Sequence, residues 1–126
     1  MKVALTVWEN RISPLFDCAG RLLIADIVDS VEIRRHFESF HFESPFSRAA
    51  RLRDLEIEVL ICGAVSEPFA NTIETSGIRI ISFVAGAVDE VLKAYLKGAI
   101  SSPEFQMPGC GSKGKEGTRG KGTSKK

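Results

Sequence analysis

Cysteine is scarce in this chain of 126 residues, and Cys18, Cys62 and Cys110 are odd in number and far apart. That pattern fits free thiols in a reducing compartment better than a disulfide framework. There is no CxxC pair, which argues against a structural zinc site. Long hydrophobic runs are lacking too. No stretch approaches the ~20 apolar residues of a membrane helix. The opening Met1-Lys2-Val3-Ala4-Leu5-Thr6-Val7-Trp8 is too short for a secretory h-region. The expected protein is soluble and cytoplasmic, with no membrane partner. The segment Lys2 to Trp8 also contains no carboxylate, and only Glu9 and Asp26 follow it closely. Two-metal phosphoryl chemistry needs a carboxylate cluster, so nuclease activity of that kind is disfavoured.

What is present suits one buried core. With 44% hydrophobic and 26% charged residues, the chain falls in the size and composition range of a single globular domain. Residues 1–104 are read as one α/β domain and 105–126 as a C-terminal segment. The net charge of +1 hides an asymmetry. From Gly111 to Lys126 there are six basic residues (Lys113, Lys115, Arg119, Lys121, Lys125, Lys126) and one acid, Glu116. That local charge of +5 leaves −4 on residues 1–110. With no apolar residue after Cys110, the tail cannot offset the entropy of ordering and is expected to be disordered. A basic tail can attract nucleic acid, a membrane surface or an acidic partner, and it can equally serve solubility alone.

Along the rest of the chain, strand and helix patterns alternate. Lys2 to Trp8 and Leu22 to Val28 read as buried strands, and Asp29-Ser30 turns into the mostly alternating Val31 to Phe37. Ser44 is a good N-cap with Pro45 at the first helical position, for a helix ending near Asp54. Phe46, Ala49, Ala50 and Leu52 supply its small and apolar faces. Glu58 to Cys62 is a buried strand. Ser66 then caps a helix holding Phe69 and Ile73, which Gly77 ends as the C′ residue. Ile78 to Phe83 is the fifth strand. Val88, Val91, Leu92, Tyr95 and Leu96 form the stripe of an amphipathic helix ending near Gly98.

Late alternation of strands and helices requires parallel pairing through right-handed crossovers, whereas the early hairpin adds one antiparallel neighbour. The expected architecture is a three-layer α/β/α fold with a mixed five-stranded sheet and one antiparallel strand. With the first strand central, a topological switch point opens beside it. The loop from Glu9 to Gly20 and the turn Gly63 to Ser66 project into that crevice. Gly63 would let the backbone approach a ligand, and the helix after Ser66 would offer N–H groups to an anion.

Five stretches together resemble a known family. They are Lys2 to Trp8, Arg11-Ile12-Ser13-Pro14-Leu15-Phe16-Asp17, Val59-Leu60-Ile61-Cys62-Gly63-Ala64-Val65-Ser66, Gly77 to Gly86, and Phe105-Gln106-Met107-Pro108-Gly109-Cys110. Their order and spacing over residues 1–110 look like the dinitrogenase iron-molybdenum cofactor biosynthesis family. It includes NifX, NafY and the carboxyl-terminal portion of NifB. The resemblance implies a ribonuclease H-like motif and a role in binding or carrying an iron-sulfur or molybdenum-containing cluster without turnover. Many members carry His-Phe-Gly where this chain has Leu15-Phe16-Asp17. The small stand-alone relatives, including the orange protein with its molybdenum-copper sulfide cluster, are therefore the nearer comparison.

Each candidate residue carries two readings. Cys18 in a polar loop is a soft-metal ligand or a small half-buried residue. Cys62, ending a buried strand, reads as core. Cys110 after Met107-Pro108-Gly109 presents a thiolate beside a thioether on an exposed turn. Arg11 could hold an anionic thiometallate through charge and hydrogen bonds, or be a solvated loop arginine. Ser13-Pro14 shapes the turn first and contacts ligand second. His36 shares a polar strand face with Glu32 and Arg34 and reads as a surface residue, while His41 is ambiguous.

The expectation is thus a cluster carrier or assembly accessory protein whose site comprises Arg11, Ser13, Cys18, Gly63, Ser66 and Met107. Cys18 and Cys110 are its metal-ligand candidates. Its partners would be metallocluster donor and acceptor proteins rather than nucleic acid, and it would be a monomer or weak homodimer. The rival readings are an interaction module using the basic tail and a ribonuclease H-like nuclease.

Overall fold

The computed structural model describes residues 1–40 and 44–107. His41, Cys110 and the basic tail lie outside the described residues.

The chain opens with β1 (Lys2–Trp8) and doubles back into a two-residue strand, β2 (Arg11–Ile12). Glu9 and Asn10 between them both lie in the left-handed region, with φ of 49° and 67°. Two such residues make the tight turn whose twist suits a hairpin. β3 (Arg21–Val28) and β4 (Val31–Ser39) form a second hairpin, and Asp29 and Ser30 repeat the same turn with φ of 53° and 63°. There follow α1 (Pro45–Asp54), β5 (Val59–Ile61), α2 (Glu67–Thr75), β6 (Arg79–Ile81) and α3 (Val88–Leu96).

The sheet runs β4-β3-β1-β5-β6, with β1 at its centre. β3 is antiparallel to both β1 and β4, while β5 and β6 run parallel to β1. The expected mixed α/β sheet with one antiparallel strand is present along this path. One correction concerns the strand count: β2 pairs antiparallel with the end of β1 and makes the sheet six-stranded. Two residues are too few to show a hydrophobic alternation.

Burial follows the strand alternation. Val3, Leu5 and Val7 face α3, packing with Leu23, Ile61, Val91 and Leu92. Ala4, Leu22, Ile24, Leu60 and Cys62 face α1 and α2, packing with Leu52, Phe69 and Ile73. β1 is covered on both sides, which is why it reads as a continuous apolar run. Each fully buried aliphatic side chain contributes about 1.5–3 kcal/mol by leaving water.

Two surface expectations are corrected. In α1, Phe46 is 74% exposed and Arg48 only 4% exposed. Arg48 lies one helical turn before the buried Leu52 and takes the inward position. On β4, a register shift between Asp26 and Ile27 moves Glu32 away from the face of Arg34 and His36. His36 instead pairs with Glu38 at 3.2 Å, and Glu32 pairs with Arg35, which also reaches Asp89 on α3.

All three helices end in the same double hydrogen bond. After α1, Ile57 N–H donates to the Leu52 carbonyl and Glu56 N–H to that of Arg53. The matching pairs are Ile78 to Ile73 with Gly77 to Glu74, and Ala99 to Ala94 with Gly98 to Tyr95. This is the Schellman motif, whose C′ residue is left-handed. Gly77 takes that role as expected, at φ 90°, but Glu56 fills it after α1 at φ 62°.

Candidate functional site

Because β1, β5 and β6 are parallel, their carboxyl ends emerge at one edge of the sheet. The loops leaving them are tied together by backbone hydrogen bonds. Ser13 N–H donates to the Thr6 carbonyl at 2.9 Å, Ile12 N–H to that of Gly86 at 2.9 Å, and Val88 N–H to that of Asn10 at 3.0 Å. Ala64 N–H donates to the Pro14 carbonyl at 2.8 Å and Phe16 N–H to the Ala64 carbonyl at 2.7 Å. Phe83 N–H donates to the Gly63 carbonyl at 2.8 Å, and Met107 N–H to the Phe83 carbonyl at 3.1 Å. The first loop, the turn after β5, the loop after β6 and Met107 are thus joined backbone to backbone.

This stitching corrects the expected role of Gly63. A Cβ there would collide with the Ser13 carbonyl oxygen and lie 2.6 Å from the Pro14 carbonyl oxygen. The close backbone approach that glycine permits is made by the protein's own loop, not by a ligand. At Gly63 the crevice beside β1 is filled by the protein's own backbone.

At the start of α2 a further contact reaches the first loop. The Ser66 side chain makes no capping hydrogen bond. The Ser66 backbone N–H instead donates to the Asp17 carboxylate at 3.2 Å, which places a negative charge near the helix N-terminus. A resident carboxylate therefore takes the N–H of the cap residue itself.

Phe16–Cys18 forms a single 3-10 turn. Cys18 ends it and is exposed rather than half-buried. Arg11 is exposed on β2, opposite the 57%-exposed Trp8. Ser13 is buried, its hydroxyl turned toward the Leu15 carbonyl at 3.5 Å, so it shapes the loop. Ser66 and Met107 are half-buried. Cys62 is fully buried, and desolvation pushes its thiol well above the usual range. It belongs to the core and stays protonated. Glu9 and Asp26 lie at opposite ends of β1: Glu9 follows its last residue, whereas Asp26 pairs with Lys2 at 2.8 Å. Among the described residues, no three His, Cys, Asp or Glu side chains are grouped to hold a metal ion.

Three residues of this edge escaped the sequence reading. Asp17 serves as a cap only because a distant segment folds against it. Arg48 reaches the turn from α1, donating to the carbonyls of Phe16 and Asp17. Phe83 adopts φ 60° and is 41% exposed. A left-handed aromatic residue stores about 1–3 kcal/mol of strain, a condition concentrated at functional sites. No sequence signal marks such a backbone angle.

The same fold recurs in solved structures. The crystal structure of PH0822 superposes with a TM-score of 0.73 at 17% identity, covering 78% of this chain and 92% of that one. MJ0327 of Methanocaldococcus jannaschii, provisionally assigned as a dinitrogenase, gives 0.64 at 23% identity, covering 80% and 92%. TM1290 of Thermotoga, provisionally assigned as a NifB protein of the DUF35 family, gives 0.61 at 20% identity, covering 78% and 89%. No curated protein matches the chain significantly. The sequence profile described as dinitrogenase iron-molybdenum cofactor matches residues 1–98, a span that includes β1 to α3 and the stitched loops at the sheet edge. The chain therefore belongs to the dinitrogenase iron-molybdenum cofactor family, which gives it a role related to the biosynthesis of that cofactor.

Proposed function

We propose that this protein binds a preassembled metal-sulfide cluster, of the iron-sulfur or molybdenum-containing kind, and carries it between donor and acceptor proteins without turnover. The observation supporting this reading is the set of hydrogen-bonded loops at the carboxyl ends of β1, β5 and β6. These segments carry the exposed Cys18 thiol, the exposed Arg11 guanidinium and the half-buried Met107 thioether. Thiolate and thioether are soft ligands suited to Cu(I) and iron. A guanidinium offers several donors to an anionic sulfide shell. A cluster arrives with most of its coordination already filled by sulfide, so one thiolate and an anion contact suffice. A bare ion would need three or four protein donors, and no such group occurs among the described residues. Because Gly63 leaves no gap beneath the first loop, the cargo rests on the outer face, from which transfer to another protein is direct.

The test is anaerobic incubation with iron plus sulfide, and separately with tetrathiomolybdate plus Cu(I), followed by desalting, metal analysis and visible absorption. Wild type is compared with Cys18→Ser, Cys110→Ser and Arg11→Ala. Stoichiometric retained metal with a charge-transfer band, weakened by one of these substitutions, is expected. Absence of retention under both conditions overturns the reading for these clusters.

A further inference from the structure

Arg48 is 4% exposed in a layer of otherwise apolar side chains. Burying a guanidinium is costly unless its donors are used, and an apolar residue of similar volume often stabilises as well or better. The contacts of Arg48 show what the charged group does. Nη1 donates to the Phe16 carbonyl at 3.2 Å and Nη2 to the Asp17 carbonyl at 3.3 Å. Phe40, Phe16 and Phe69 surround the head, their ring centroids 4.4, 5.2 and 5.8 Å from its central carbon. Phe16 meets the other two rings edge to face, at 5.6 and 5.5 Å. Desolvation lowers the affinity of Arg48 for its proton, and the nearby Asp17 carboxylate opposes that loss.

Both accepting carbonyls belong to the turn that ends at Cys18. That turn's Asp17 side chain continues to the Ser66 N–H. One line of contacts therefore runs from α1 through Arg48 and the Cys18 turn to the start of α2. The planar fork of arginine can address two successive carbonyls at once, which a lysine ammonium does less well and a methionine not at all.

We propose that Arg48 is a positioning residue for the cargo surface, fixing the Phe16–Cys18 turn, and so the Cys18 thiol and the Asp17–Ser66 link, without itself touching cargo. Its functional half rests on the cluster-carrier reading. Its structural half stands apart from it.

The test is amide hydrogen exchange on cargo-free wild type, Arg48→Met, Arg48→Lys and Leu52→Ala. The last removes buried contacts from the same helix and layer while leaving the fork intact. Three amides report on the turn: Cys18 N–H bonded to the Leu15 carbonyl, Ala19 N–H to that of Phe16, and Ser66 N–H to Asp17. At these amides Arg48→Met is expected to exchange about tenfold faster than Leu52→Ala at the same distance below its Tm. Arg48→Lys is expected to fall between Arg48→Met and wild type. Equal exchange in Arg48→Met and Leu52→Ala overturns the proposal. If Arg48→Met does not fold, wild-type exchange at the three amides in Arg48→Lys overturns it instead. Tetrathiomolybdate and Cu(I) retention is then measured on the same proteins, and loss in Arg48→Met but not in Leu52→Ala is expected. Faster exchange at the turn with no retention even by wild type would uphold positioning and defeat the carrier reading. Unchanged exchange with full retention by wild type would do the reverse.

Discussion

Asp17 and Ser66 are joined by a hydrogen bond of 3.2 Å from the Ser66 backbone N–H to the Asp17 carboxylate, tying the first loop to the start of α2. The bond satisfies the N–H of the cap residue, as the third-position glutamate of a capping box does locally. Loss of a helix cap costs about 1 kcal/mol. Asp17→Ala is expected to lower the unfolding free energy by roughly that amount, while Asp17→Asn, which keeps an oxygen acceptor, costs less. Urea unfolding of the two variants checks the order. Equal losses would show that the contact contributes through charge alone.

Gly63 lies against the backbone of Ser13 and Pro14, which cannot move aside as a flexible side chain would. Gly63→Ala is therefore expected to destabilise by about 1–3 kcal/mol, the usual cost of overpacking. The chemical-shift changes should concentrate in residues 12–18 and 63–66. Stability and spectra like those of wild type would contradict the packing described.

Glu56 occupies the left-handed C′ position that glycine occupies after α2 and α3. A non-glycine residue pays about 1 kcal/mol there, part of which is returned by the lower unfolded-state entropy of a side-chain-bearing residue. Glu56→Gly is expected to raise Tm by a few degrees, in line with a gain of several tenths of a kcal/mol. A fall in Tm, measured by scanning calorimetry, would show that the Glu56 side chain contributes more than its backbone costs.

Asp26 titrates below the ordinary carboxylate range, chiefly because Lys2 donates a hydrogen bond to it, with added attraction from Lys2, Arg34 and His36. A carboxylate depressed in the folded state stabilises above its unfolded pKa. That contribution disappears as pH falls through the folded pKa. The wild type should therefore lose stability as pH drops below about 4, and Asp26→Asn should lose less over the same interval. Parallel acid profiles for the two proteins would remove Asp26 from the account.

Much of the architecture was legible in the chain because its causes are local. Pro45 after Ser44 starts α1, and the Ser44 hydroxyl does accept from the Ser47 N–H. Gly77 ends α2, Asp29-Ser30 closes a hairpin, and the stripe from Val88 to Leu96 is α3. The apolar runs of β1 and β5 identified buried strands, and the connections between them constrained the sheet order. The candidate site was legible as a region: the loop after β1 and the turn after β5 do meet. The partners within it were not. Spacing cannot show that Gly63 accommodates Pro14, that Asp17 caps a helix beginning at Glu67, or that Arg48 turns inward while Phe46 turns out. Those outcomes depend on which carbonyls and rings the folded chain brings within hydrogen-bond or stacking distance. The sequence by itself determined the helices, every strand but β2, their order and the family. Only the tertiary structure decided which polar groups satisfy one another and which, such as the Cys18 thiol, remain at the surface, because that pairing is a property of distance in space rather than of separation along the chain.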